Sequence, residues 1–286
     1  MSKLYLVPTP IGNLQDMTFR AVEVLKSCDH ILAEDTRKTI FLLKHFGIEK
    51  SVRSHHKFNE HKSLGYVIQD LLAGQTIALV SDAGTPGISD PGFLLVRECI
   101  KNSIPVECLP GATALIPALV NSGLPTDRFC FEGFLPSARK DRVHQLETLK
   151  METRTLIFYE SPHRLKAVLS DLLAVLGDRR CALARELTKM HEEILRDTLS
   201  NLVSVHEVRE PRGEYVLVLA GAEADLLRDN AREEWLRMTL SEHVGLYLAE
   251  GSDRMEAMKK AAKDRGLSKR DVYAALQADA QEGKEG

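Results

Sequence analysis

Thr76-Ile77-Ala78-Leu79-Val80-Ser81-Asp82-Ala83-Gly84-Thr85-Pro86-Gly87-Ile88-Ser89-Asp90-Pro91-Gly92 decides how this chain reads. It opens as an apolar strand, Thr76 to Val80. It then breaks into a loop with three glycines, two prolines and two aspartates, and from Phe93 it reads as a helix. A buried strand that empties into a glycine-rich loop ahead of a helix is the usual ligand position in an α/β sheet. The loop has no G-x-x-x-x-G-K-[ST] pattern, and no G-x-G-x-x-G follows a strand, so two common phosphate-binding fingerprints are absent. Asp82 and Asp90 would repel an anionic phosphate and suit a ligand that carries positive charge.

The same strand–loop–helix grammar recurs on either side. Leu4 to Val7 runs into the stiff loop Pro8-Thr9-Pro10-Ile11-Gly12-Asn13-Leu14. Thr18 to Ser27 reads as a helix with Asp16 or Thr18 as N-cap. His30 to Ala33 ends in Glu34-Asp35-Thr36-Arg37, and a helix from Thr36 to Phe46 closes at Gly47. Residues 60 to 73 form another helix. Val106 to Leu109 leads into Pro110-Gly111-Ala112-Thr113-Ala114-Leu115. This alternation predicts a parallel or mostly parallel sheet with helices on both faces.

Beyond Gly123-Leu124-Pro125 the alternation starts again. The predicted strands are Phe129 to Gly133, Thr155 to Tyr159, Arg180 to Ala184, an extended 190–196 and Tyr215 to Ala220, with Pro136 to Arg142 as a basic loop. From about Ala222 only helices are expected, the first a single long one over 231–250. Asp253-Arg254-Met255-Glu256 and Ser268-Lys269-Arg270-Asp271 have capping-box form and should each start a helix on either side of Gly266. Met255, Met258 and Ala262, then Val272, Ala275 and Leu276, would form their apolar faces. The fold class is therefore α/β, with two α/β domains over 1–122 and 123–224 and a small helix-turn-helix-like region over 225–286. The last residues, 281–286, should fray.

Net charge is −3, so nucleic-acid binding would need a local basic patch. The stretch from Arg254 to Arg270 is such a patch, with seven Lys/Arg against two Asp/Glu. Cys28, Cys99, Cys108, Cys130 and Cys181 form no C-x-x-C and read as buried reduced thiols. His55, His56 and His61 with Glu60 lack H-E-x-x-H and read as solvated polar positions rather than metal ligands. No apolar run reaches a membrane span, and the N-terminus enters a strand with no cleavage pattern, so a cytoplasmic protein is expected.

Pro8–Leu14, Glu34–Arg37, Ser81–Pro86, Phe131-Glu132-Gly133-Phe134-Leu135-Pro136 and Ala184-Arg185-Glu186-Leu187-Thr188-Lys189 occur together and in this order. The set resembles the tetrapyrrole-methylase-like family of S-adenosylmethionine (SAM)-dependent methyltransferases, and within it the bacterial branch that methylates a cytidine ribose in 16S ribosomal RNA. The resemblance implies SAM held in a cleft between two α/β domains, a homodimer, and small-subunit ribosomal RNA as partner, most naturally in the assembled 30S particle. It also implies that Pro10, Ser81, Asp82, Ala83, Thr85, Thr113, Ala114, Tyr159, Ala184 and Tyr215 line the cofactor site. SAM carries a sulfonium and an ammonium and no phosphate, which agrees with the aspartate-bearing loop.

A ribose hydroxyl is a poor nucleophile, so a general base should sit at a strand end. Glu34, Asp35, Asp90, Glu160 and Glu186 are the carboxylate candidates, with Glu160 or Glu186 preferred. Lys189 qualifies if burial depresses its pKa. Arg37, Arg164, Arg185, the basic loop residues Arg139, Lys140 and Arg142, and the C-terminal Lys259, Lys260, Lys263, Lys269 and Arg270 are the candidates for RNA phosphates. Two other readings fit parts of the sequence: a methyltransferase for a tetrapyrrole or other small molecule, and a non-enzymatic SAM-responsive nucleic-acid-binding regulator.

Overall fold

Five short strands, β1 (Lys3–Leu6), β2 (His30–Ala33), β3 (Ser51–Ser54), β4 (Thr76–Val80) and β5 (Val106–Cys108), form one sheet in the order β3-β2-β4-β1-β5. All neighbours in it are parallel. The computed structural model describes residues 2–56, 60–223, 235, 237–268 and 270–276. They fall into two compact units, Met1–Gly221 and Ala222–Gly286.

The connections explain the layering. From β1 the chain steps to β2 and then β3 through α1 (Phe19–Ser27) and α2 (Thr36–His45). It returns through α3 (Glu60–Leu72) to β4 and through α4 (Phe93–Lys101) to β5. Right-handed crossovers in opposite directions put α1 and α2 on one face and α3 and α4 on the other. The packing agrees: Leu25 and Leu43 share a core with Ile31, Ala78 and Val80, while Leu71 and Leu95 share another with Leu4, Leu32 and Leu79. Thr18 caps α1 by accepting from the Ala21 N–H, and Asp35 caps α2.

The sequence reading has no strand at β3. Ser51-Val52-Arg53-Ser54 is a polar edge strand with no buried residue, and it is defined by its pairing with β2. No local apolar run marks it. It also delivers His55 into the interior, where the ring is fully buried and Nδ1 lies 2.8 Å from Ser63 Oγ. His55 and the buried Glu60 are thus not solvated positions, and burial pushes the His55 imidazole below its ordinary pKa. Of the thiols, Cys28, Cys99 and Cys181 are buried, but Cys108 is exposed and Cys130 half-buried.

The second sheet comprises β6 (Phe129–Phe134), β7 (Thr155–Glu160), β8 (Arg180–Arg185), β9 (Glu193–Thr198) and β10 (Tyr215–Leu219), in the order β6-β7-β10-β8-β9. Only β6 and β7 are parallel; β10 is antiparallel to both β7 and β8, and β9 is antiparallel to β8. The mostly parallel expectation holds for the first sheet, while the second is mixed because β10 returns to insert between two strands already laid down. Helices α6 (Arg139–Thr148), α7 (Pro162–Leu176) and α8 (Leu199–Val208) cover one face. The other face is covered by α5 (Leu115–Ser122), whose Ala118 and Leu119 pack on Ile157, Ala184 and Val218.

The basic loop 136–142 is in part the first turn of α6, and its Arg142 is no surface cation. The guanidinium is 6% exposed and pairs with Asp171 at 2.7 Å, and it also donates to the Pro136 and Ser137 carbonyls. Arg139 pairs with the same carboxylate from the outside. A buried pair on two helices is a structural pin, out of reach of a phosphate.

In the second unit the helix begins later than expected. Thr239 and Glu242 form a reciprocal capping box that starts α9 (Leu240–Ala249), so the chain does not run as one helix over 231–250; residues 231–234 and 236 lie outside the described residues. Asp253 caps α10 (Arg254–Arg265), which Gly266 ends in the left-handed conformation. Asp271 and Ser268 exchange bonds at the start of a helical segment over 270–276. Val244, Ala257, Met258, Ala261, Ala262 and Val272 form the core, whereas Met255 is exposed. Lys269 and residues 281–286 lie outside the described residues.

Replacing Arg142 by Ala leaves the buried Asp171 carboxylate with only Arg139 on its outer side. The unfolding free energy in urea should fall by roughly 3–5 kcal/mol, and a change below about 0.5 kcal/mol would contradict the pin.

Candidate active site

Because the strands of the first sheet are parallel, the loops after β1, β2, β4 and β5 leave from one edge. Thr9 and Gly84 tie two of them together, each N–H donating to the other's carbonyl at 2.9 Å. The Thr9 hydroxyl donates to the Ser81 carbonyl, and the Ser81 hydroxyl donates back into its own loop at Gly84. Thr85 reaches across to the Ala112 carbonyl at 3.1 Å. The 81–92 loop is thus anchored by backbone over 81–85 and at its far end by the Gly92 N–H donating to the Glu60 carboxylate, and Asp82 and Asp90 border an opening.

That opening is a cavity of about 400 Å³ facing the second sheet. Asp82, Ala83, Thr85, Thr113 and Ala114 form one wall. Tyr159, Glu160, Ala184, Glu186, Lys189 and Tyr215 form the other. Pro10 and Ser81 line an adjoining depression of about 610 Å³ instead, together with Arg37 and Phe41. Asp82 and Lys38 border both spaces.

Charge is unevenly spread in the cavity. Glu34, Asp82 and Asp90 share it, with Lys38 the cation beside Asp82 at 2.7 Å. Burial, then the charges of Glu34 and Asp82, push Asp90 up to about 7. Burial and the Asp82 charge likewise raise Glu34, against the pull of Lys38. A cluster of carboxylates that hold one another's protons is a site made for a cation.

On the opposite wall the chain is strained. Glu186 takes φ +49° and Thr188 φ +67°, and across the cavity Ser89 takes φ +64°. Non-glycine residues enter this region only when their surroundings hold them there. Gly213 is the counterpart: a Cβ there would lie 2.4 Å from Glu186 Cγ, at a backbone φ of +79°. Glu186 Oε1 accepts from Lys189 Nζ and from the Glu214 N–H, both at 2.9 Å. Burial works against the Glu186 carboxylate, but these bonds outweigh it and its pKa lies below the ordinary value. Lys189 departs from the expectation of a depressed base: burial would lower it, but bonds to Glu186 and Glu214 raise it. It stays an ammonium.

Glu160 is 2% exposed. Its Oε1 accepts from the Ser161 N–H at 2.8 Å. Its Oε2 has no hydrogen bond and lies 3.4 Å from the Arg164 guanidinium. Arg164 is bound to the Leu135 and Pro136 carbonyls, and Arg185 to the His191 carbonyl and beside Glu193. Arg37 is 88% exposed and gripped by Asp35 in bidentate fashion. Tyr159 sits edge-on to Phe131 and Phe134, and its hydroxyl meets Thr113 and the Leu115 backbone.

Sequence reasoning missed Lys38, Ser89, Phe134 and Glu214 as cavity residues. Two had a local signal. Lys38 lies one helical turn after Glu34, which returns it over the strand end. Glu214 immediately precedes β10, the strand inserted beside β7 and β8.

An acidic cleft between two α/β layers, with a backbone-anchored Gly/Pro loop, suits a small ligand that carries positive charge. The lining fits SAM: Asp82 and Asp90 would answer its positive charge, and Ala83, Ala114, Ala184 and Tyr215 would supply apolar walls. The chain belongs to the tetrapyrrole (corrin/porphyrin) methylases, whose family profile matches residues 3–203. It is an enzyme, a SAM-dependent methyltransferase. A protein of Halalkalibacterium halodurans named ribosomal RNA small subunit methyltransferase I is 49% identical over 94% of this chain and 93% of its own. One of the same name from Synechocystis is 49% identical over 96% of both chains. Uroporphyrin-III C-methyltransferase from Thermus thermophilus, solved with S-adenyl homocysteine, shares the fold at TM-score 0.54 and 19% identity, over 76% of this chain and 96% of its own.

Asp90 sets two pH dependences. Its folded pKa of about 7 exceeds the ordinary 3.8, so the folded state keeps a proton that the unfolded state has released, and stability falls as pH rises from about 4 through about 7. Affinity for a cationic donor rises over the upper part of that range, by at most about tenfold per pH unit. Asp90→Asn should flatten both profiles in thermal-shift and calorimetric titrations and raise the melting temperature of the ligand-free protein at alkaline pH. Profiles parallel to wild type would remove Asp90 from the acid cluster.

Proposed function

We propose that this protein methylates the ribose 2′-oxygen of a cytidine in the 16S RNA of the small ribosomal subunit. The carrying observation is the near end-to-end similarity to proteins named ribosomal RNA small subunit methyltransferase I. The family profile stops at residue 203, whereas that similarity continues into the C-terminal unit. A small-molecule acceptor would leave this extension and its basic stretch from Arg254 to Arg270 without a task, so RNA is favoured over a tetrapyrrole.

In this reading SAM supplies a methyl group on a positively charged sulfur. The chain's own residues do the rest. Asp82 and Asp90 hold the donor's cationic groups, with Ser81, Ala83, Thr85, Thr113 and Ala114 on the loop side. Tyr159, Ala184 and Tyr215 form the opposite wall and exclude water, and Pro10 borders the entrance. Glu160 is the base: its carboxylate borders the cleft, and the Ser161 N–H on Oε1 and the Arg164 guanidinium 3.4 Å from Oε2 leave it lone pairs that can take a hydroxyl proton. Lys189 holds Glu186 ionised beside it and orients the acceptor ribose. The attack is an in-line displacement, for which alignment is the main requirement.

The proposal divides the labour among three segments: 1–122 carries the donor loop, 123–224 the acceptor wall, and 225–286 the grip on RNA. Arg37, Lys140, Lys259, Lys263 and Arg270, all exposed, would meet phosphates. The assembled 30S particle is the proposed substrate, since a folded particle presents shape that free RNA lacks. A homodimer in the cytoplasm completes the reading, with exposed apolar residues such as Phe93 and Val120 available to a second copy.

Methyl-labelled SAM, wild-type protein and unmodified small subunits should yield label in an alkali-resistant dinucleotide, because alkali cleaves through a free 2′-hydroxyl. Label in mononucleotides would mean base methylation. Glu160→Gln should cut turnover by 10²-fold or more, a typical scale for losing a general base, and leave SAM affinity unchanged. Glu186→Gln should weaken acceptor KM more than turnover. Wild-type turnover in Glu160→Gln would dismiss it as the base.

A further inference from the structure

The C-terminal unit carries a groove of about 760 Å³ lined by Arg254, Met255, Met258, Arg270 and Tyr273. Its construction follows from the caps. Asp253 starts α10 so that Arg254 lies in its first turn, with Met258 one turn later on the same side. Ser268 and Asp271 start the segment at 270, which puts Arg270 in its first turn and Tyr273 one turn on. The Gly266 turn brings the two faces together. Met258 is buried as the floor, while Met255 and Tyr273 stay 56% and 53% exposed. Among the described residues, none that lines the groove is acidic.

We propose that this groove binds an unpaired nucleotide of the RNA substrate, its base stacked on Tyr273 and its flanking phosphates held by Arg254 and Arg270. The inference rests on the reading of RNA as the methyl acceptor. Three features select this occupant. A half-exposed aromatic ring that shares a groove with two guanidinium groups is the kind of platform on which single-stranded bases stack. The two methionines give an adaptable apolar edge for a flat ring. The all-basic lining is complementary to phosphate and set against an overall charge of −3. An acidic peptide would use the arginines and gain little from the ring and thioethers. A duplex is also disfavoured: the major groove of an A-form helix is too narrow for a protein helix to enter, so a helix-turn-helix shape here cannot read RNA as it would read DNA.

The test uses the full chain and fluorescence anisotropy with labelled hexacytidylate, the same backbone without bases, and polyglutamate. Tyr273→Ala should weaken hexacytidylate binding by roughly tenfold and Tyr273→Phe should retain it. The abasic strand should lose as much, with no further loss in Tyr273→Ala. Arg254→Gln should lower the salt slope by about one. Equal binding of abasic and intact strands, wild-type affinity in Tyr273→Ala, or no hexacytidylate binding by wild type would overturn the site. Binding of polyglutamate that displaces hexacytidylate would assign the groove to an acidic peptide. Methyl transfer to small subunits, measured alongside, separates the two readings. Transfer by wild type with an unaltered Tyr273→Ala variant defeats this site alone; no transfer by wild type defeats the RNA-acceptor reading, whatever the oligonucleotide result.

Discussion

Everything at the site depends on the parallel pairing of β1 with β4, which sets Leu4 against Ile77 and Leu6 against Leu79. Parallel strands end at the same edge, so this one ladder carries the 7–14 loop and the 81–92 loop to a common place. The reciprocal Thr9–Gly84 bonds then lock the two loops together. A slip of one residue would turn Leu4 and Leu79 out of their core and Asp82 away from the opening. Both faces of β4 are buried, so the register is set by two cores at once.

Once the loops are fixed, electrostatics does the selecting. Glu34, Asp82 and Asp90 crowd one wall, and the free protein relieves them by holding a proton on Asp90 near neutrality. A bound cation relieves them better. The opposite wall is organised differently: Glu186 and Lys189 neutralise each other in a strained turn against Gly213, and Glu160 keeps a buried oxygen without a donor. In the proposed reading one wall receives the donor's positive charge, while the other takes the acceptor's proton. That division is what methyl transfer to a hydroxyl requires.

The basic residues divide in the same physical way. Arg142, Arg164 and Arg185 are spent on carboxylates and backbone carbonyls of the second sheet and its helices. Lys259, Lys263 and Arg270 lie on the outside of a small helical unit. In a protein of net negative charge, exposed cations away from carboxylates are the ones able to meet an RNA backbone.

The sequence by itself determined the alternation of the first half, the helix starts at Thr18 and Asp253, the glycine-rich loop at the end of a buried strand, and the two aspartates that suit that loop to a cation. These are local matters of period, capping chemistry and charge, and they need no distant partner. Strand ends in α/β folds gather where ligands sit, which made the loops legible, whereas the individual cavity-lining residues after β4, β5, β7 and β8 came from the family resemblance. Only the tertiary structure decided the rest. Strand β3 and the insertion of β10 exist through pairing with strands far along the chain. His55 is buried because a polar edge strand leads it inward, and Arg142 is buried because Asp171 faces it from another helix. Lys189 is raised rather than depressed because Glu186 and Glu214 converge on it from different loops. A side chain's charge and exposure are set by what packs against it, and that information is spread over residues that meet only in three dimensions.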